Sequence, residues 1–305
     1  NLLNNITVAP FTSMQVDNGA VLNPNTFFFT MTSGRFDLNP GATVSNSGIF
    51  RTQGTVYLNI RNGSFFNAPL RIATGTTTAN DQGSPYRGRL YGSLTVNSGA
   101  TLYVGTSGSY SLEVHNGVSN YGDITGAGTD LIFAGTSQIF LGTGTCQVNI
   151  VILNGSIVNM ANDHQLRSVN INAGGTFNIS NYKIAFNATN PIIQNGTFTT
   201  TNSKIEYNGT GLQIISTANI NYQKLKINNP ANVLLTANVT VNDSLAVVLG
   251  DMNISTNILT LSPTAYLTET SGNTVYSSSG YIKTTRNLNA PSALNVGGMG
   301  AVLTT

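Results

Sequence analysis

Apolar and polar residues alternate with a period of two through most of this chain, as in Leu94-Thr95-Val96-Asn97, Val169-Asn170-Ile171-Asn172 and Val239-Thr240-Val241-Asn242. Such alternation predicts short strands with one face buried and one wet. The β-branched richness agrees with strands, and no segment of helical length carries a helical pattern. Between the strands a second motif recurs: an apolar residue, two polar or small ones, then glycine. It reads Val16-Asp17-Asn18-Gly19, Leu38-Asn39-Pro40-Gly41 and Ile60-Arg61-Asn62-Gly63, with the three glycines evenly spaced. Gly after Asn or Ser offers the positive φ that a tight corner needs.

Later copies end at Gly99, Gly117 and Gly135, again evenly spaced, and then at Gly155, Gly174 and Gly196. A recurrence of about 20 residues belongs to the solenoids. The expected fold is therefore all-β: a right-handed parallel β-helix with coils of about 18–22 residues, in which each strand stacks on its copy one turn later. Residues 1–305 then form a single solenoid of about 14–15 coils. An array of β-sandwiches is the alternative that short strands and turn signals also allow, but it would show a longer superperiod. The step from Gly63 to Gly99 is much longer than the others. It predicts a loop protruding over 73–89, and loops on rigid scaffolds often carry recognition. Asp81, Tyr86, Arg87 and Arg89 are its candidate ligand-binding residues, suited to a sugar or carboxylate partner.

Composition sharpens this picture. Only 8% of residues are charged, against about 25% in ordinary globular proteins, and Asn, Thr, Ser and Gly fill the gap. The 13 basic and 11 acidic residues lie scattered along the chain and form no basic stripe, which argues against a nucleic-acid partner. No apolar run approaches the length of a membrane-spanning helix, so no membrane insertion is expected. The lone Cys146 excludes a disulfide framework within the chain and reads as a small buried hydrophobe. The N-terminal Asn1-Leu2-Leu3 has neither initiator Met nor signal peptide, as in a processed or excised piece.

The C-terminal stretch 225–305 carries Leu225-Lys226-Ile227-Asn228-Asn229-Pro230, Val239-Thr240-Val241-Asn242-Asp243-Ser244-Leu245 and Gly280-Tyr281-Ile282-Lys283-Thr284-Thr285-Arg286. These resemble repetitive stretches of large secreted Bacteroidetes surface proteins, cargo of the type IX secretion route that includes adhesins. The resemblance implies an extracellular, cell-surface location, further chain beyond Thr305 ending in a sorting domain, and adhesion as the task. It also implies O-glycosylation at Ser244, since Asp243-Ser244-Leu245 is similar to that phylum's acceptor motif. Asn-x-Ser/Thr sequons such as Asn195-Gly196-Thr197 are expected by chance in so Asn- and Thr-rich a chain.

Many β-helices cleave polysaccharides, a task that needs converging carboxylates or a carboxylate-bound metal. The best acidic group here is Glu113, His115, Asp123 and Asp130, followed by Asp163, His164 and Arg167. Gly126-Ala127-Gly128-Thr129-Asp130 resembles one unit of a calcium-binding nonapeptide. A single Asp-bearing copy makes Asp130 a metal candidate for Ca2+ alone, and no other cofactor is expected. A third use, ice binding, needs Thr-x-Thr rows in register, and Thr76-Thr77-Thr78 and Thr199-Thr200-Thr201 do not repeat at the coil period. The reading is a non-enzymatic structural or adhesive segment that binds polysaccharide or another surface ligand and can assemble into fibres. A polysaccharide lyase or hydrolase comes second and an ice-binding protein third.

Overall fold

A computed structural model describes residues 5–8, 13–80, 87–106, 110–126, 128–216, 220–287, 289, 294–300 and 302–303. They form an all-β solenoid of about 12 turns built by stacking parallel sheets, with no helix. Within it the chain divides into two compact units, Asn1–Leu166 with Ile171–Phe177, and Arg167–Asn170 with Asn178–Thr305.

In the first unit each coil has three sides, and every side is a ladder of strands one turn apart. On the first side Phe29, Phe50, Leu70, Leu94, Val118, Phe140 and Met160 stand in register and point inward. Every one of them is buried. The steps between them vary, the longest being Leu70 to Leu94 and Leu94 to Val118, so coils are somewhat longer than expected and fewer. The second side stacks Val56, Thr77, Leu102, Ile124 and Cys146; the third stacks Phe66, Leu90, Val114, Phe133 and Ile152. Each fully buried side chain of this size contributes about 1.5–3 kcal/mol, and the register sums these along one continuous core. Near the N-terminus the core is aromatic, with Phe50 packed at 5.1, 4.8 and 5.2 Å from Phe29, Phe36 and Phe66.

The glycine motif marks corners, as expected, though more than one kind. Gly19, Gly41 and Gly63 stack at the corner between second and third sides with φ of 76°, 77° and 82°. The Gly19 and Gly41 N–H groups donate to the next glycine's carbonyl (Gly19 to Gly41, 3.2 Å; Gly41 to Gly63, 2.8 Å). Gly99 instead opens the strand Ala100–Val104 on the second side. The long step from Gly63 to Gly99 is thus mostly a change of corner. Within the expected loop, Gly75–Asn80 and Arg87–Leu90 are strands of the second and third sides. Residues 81–86, with Asp81 and Tyr86, lie outside the described residues. From Thr145–Ile152 the corner between second and third sides disappears and one continuous strand spans both.

The second unit stacks Lys183–Phe186, Lys204–Tyr207, Asn221–Asn228, Val239–Leu249 and Tyr266–Glu269 in parallel. Ile184, Ile205, Leu225, Leu245 and Leu267 form its inward column. Gln213–Ile215, Val233–Leu235, Met252–Asn253 and Val275–Tyr276 form another side. Leu294–Asn295 pairs antiparallel with Val302–Leu303. One buried glutamine in each unit is paired across coils. Gln138 donates to the Val114 and Asn116 carbonyls one coil back (3.0 and 2.8 Å) and accepts from Gly135 N–H. Gln213 does the same with Phe186, Ala188 and Gly209. A buried amide left unpaired would cost about 1–3 kcal/mol.

Candidate functional site: the outward charged face

Strand alternation sends every second side chain outward, and three such carboxylates are nonetheless covered. Asp37, Glu113 and Glu206 sit between inward neighbours on their strands, with side chains only 7%, 6% and 7% exposed. Bases from the same strand and adjacent coils cover them. Asp37 accepts from Arg35 (2.8 Å) and Asn59 (2.8 Å), with Arg61 at 3.8 Å. Glu113 meets Arg87 at 3.0 Å, Arg89 at 3.3 Å and His115 at 2.6 Å. Glu206 meets Lys226 at 3.1 Å, Asn228 at 2.8 Å and Lys183 at 3.8 Å. Partial burial opposes ionisation of Glu113. The His115 hydrogen bond and the charges of His115, Arg89 and Arg87 together outweigh it and hold the carboxyl below its ordinary 4.5.

Two expected recognition residues therefore have a partner the sequence did not suggest: Arg87 and Arg89 close over Glu113, one coil away. The expected acidic quartet divides. Glu113 and His115 share a face, whereas Asp123 stands on the second side and accepts from Thr145 (2.6 Å). Asp130 aligns with Ser111, two residues along from Glu113, and accepts from Asn149 (3.0 Å). Among the described residues no three His, Cys, Asp or Glu come together. Asp130 is therefore the one carboxylate of its motif, and no further acid joins it among the described residues. His164 turns inward against Phe140, ring centroids 4.5 Å apart. Cys146 is fully buried and its thiol pKa is pushed up to about 12 by desolvation, which makes it inert.

Other features were not anticipated. Asp251 and Glu269 line a shallow depression with Ser271, Asn273 and Thr274. Their oxygens accept from the turn itself: Asp251 from Thr274 N–H (2.8 Å), Glu269 from Val275 N–H (2.7 Å) and the Thr274 hydroxyl (2.9 Å). Thr76 does repeat in space, aligned with Thr55 and Thr101, but the parallel column reads Tyr57, Thr78, Tyr103, and its tyrosines break a flat threonine face. Lys183, Lys204 and Lys224 stand in register on three successive strands, followed by Ser244 and Tyr266. Their spacing in sequence is the coil period of this unit, the signal that would have revealed them.

No protein-family model, curated protein or solved structure matches this chain.

Proposed function

We propose that this chain is a non-enzymatic structural and adhesive segment of a bacterial cell-surface protein, extracellular and of the kind that the type IX route of Bacteroidetes exports. It holds a polysaccharide or another surface ligand along its solenoid wall, and such rods associate into surface fibres. Asp81, Tyr86, Arg87 and Arg89 remain ligand contacts of this reading, with the outer edges of the two guanidinium groups available beyond Glu113. Ser244 remains its glycosylation site.

The observation that carries the reading is the state of the acids. Glycoside cleavage needs two carboxyl groups facing one bond across about 5–9.5 Å, one of them free to hold a proton. Asp37, Glu113 and Glu206 are each enclosed by two or three donors of the wall. Such pairs hold neighbouring coils together, and at Glu113 they hold the carboxyl below its ordinary pKa. The test is retention of the purified chain on immobilised bacterial, algal and host polysaccharides. Retention on a subset supports adhesion; passage through all of them refutes it.

A further inference from the structure

Four of the chain's five lysines gather on one outward patch of the second unit. Lys183, Lys204 and Lys224 form one column, and Lys226 lies beyond Leu225 from Lys224 on the same face. Successive rungs are about 4.8 Å apart, and like charges directly opposite on neighbouring strands destabilise a sheet. The relief is incomplete. Lys183 and Lys226 meet Glu206, and Lys224 meets Asp243 at 3.5 Å. Lys204, the middle of the column, has no carboxylate within 4.0 Å among the described residues. Asp243 reaches Lys224 from a bulge, where Tyr222↔Val241 is followed by Lys224↔Ser244.

We infer that this patch binds an anionic polysaccharide, a chain bearing carboxylate or sulfate groups, laid across the rungs from Lys183 toward Tyr266. This rests on the adhesive reading above and names its ligand class. Charge complementarity selects a polyanion, and the mixture of groups selects a hydroxyl-rich one. Four ammonium groups stand among the acceptors Glu206 and Asp243 and the hydroxyl of Ser244, and the half-exposed Tyr266 ring ends the column. Asp243, half-exposed beside Lys224, can accept a hydrogen bond from a sugar hydroxyl, whereas Glu206 is covered by Lys183, Lys226 and Asn228 and only neutralises part of the patch.

The experiment uses the full chain with four probes: polygalacturonate for carboxylate, dextran sulfate for sulfate, dextran as the neutral polymer and oligo(dT). The double variant Lys204→Gln/Lys224→Gln is compared with Lys283→Gln, which removes a charge outside the column. Binding to either polyanion is expected to weaken with salt through counterion release. The double variant should lose about tenfold in affinity, with unchanged circular dichroism and an equal or higher melting temperature as repulsion is relieved. Lys283→Gln should bind as the wild type does. An equal loss in Lys283→Gln, or tighter binding of oligo(dT) than of either polyanion, overturns the inference. Retention by neutral polymers alone also overturns it and leaves the adhesive reading standing. Shortening of a bound polymer would refute the non-enzymatic reading while lysine-dependent binding persisted.

Discussion

His164 predicts an acid-sensitive step in stability. The residue is 4% exposed with its ring packed on Phe140, and among the described residues neither ring nitrogen has a well-formed hydrogen bond. Desolvation lowers its pKa to about 4 from 6.5, with the Asp163 charge and the Phe140 carbonyl offsetting part of the effect. The unfolded chain therefore binds this proton more readily than the folded one. Stability is complete above pH 6.5, falls as pH drops, and levels off below the folded value. At about 1.36 kcal/mol per unit the whole shift is worth about 3 kcal/mol, of which about 2 kcal/mol is lost by about pH 5. Urea unfolding at about pH 7.5 and about pH 5 measures this. Amide exchange along Gln138–Leu141 and Ile157–Met160 provides a local readout, because solenoids can open by segments. His164→Phe and His164→Leu should abolish most of the difference between the two pH values, whatever each does to stability at neutral pH. Equal pH dependence in wild type and both variants would refute the reasoning.

Further tests address single features of the wall. Tyr207 and Tyr222 are buried with their hydroxyls 2.7 Å apart. Tyr207→Phe should cost about 1–3 kcal/mol by orphaning Tyr222, and the double change to Phe should recover part of it; additive losses in denaturant melts would count against the pairing. Gly75 has φ +71° and lies against the Gly54 backbone of the previous coil. Gly75→Ala should therefore lower stability by at least about 2 kcal/mol, and a neutral effect would contradict the corner geometry. Glu113→Gln should cost about 1–3 kcal/mol near neutrality. Since the Glu113 pKa is lowered, that stabilisation is present above pH 4.5 and is lost as pH falls through the folded value. Melting curves of wild type and variant should thus converge in acid, and a constant gap would show that the ion pairs do not hold these coils.

The strand period, the stacking and the inward positions were legible because alternation and a regular coil step leave direct marks in sequence. Ile60, Val96, Val114 and Cys146 are inward as the pattern implied. Corner phase was not legible, since glycine serves several corners alike: Gly63 and Gly99 occupy different ones, and equating them produced the expected 73–89 loop. Ion pairing between coils was hidden for a related reason. Arg89 and Glu113 are a full coil apart in sequence yet directly opposite, and only the correct register reveals it. The lysine column was legible in principle, but its members look dispersed until the sequence is folded at the coil period. The inward turn of His164 goes against the ordinary preference of a polar side chain, although its alternation with Leu166 puts it on the inward face.

The central claim is that the wall binds polymer and does not cut it. The most direct measurement incubates the full chain with each polymer that retains it and follows polymer length by light scattering alongside release of new reducing ends. The account predicts retention with unchanged length and no new ends. Shortening of a retained polymer, abolished by Asp251→Asn or Glu269→Gln, would contradict it and place catalysis at the depression those two acids line.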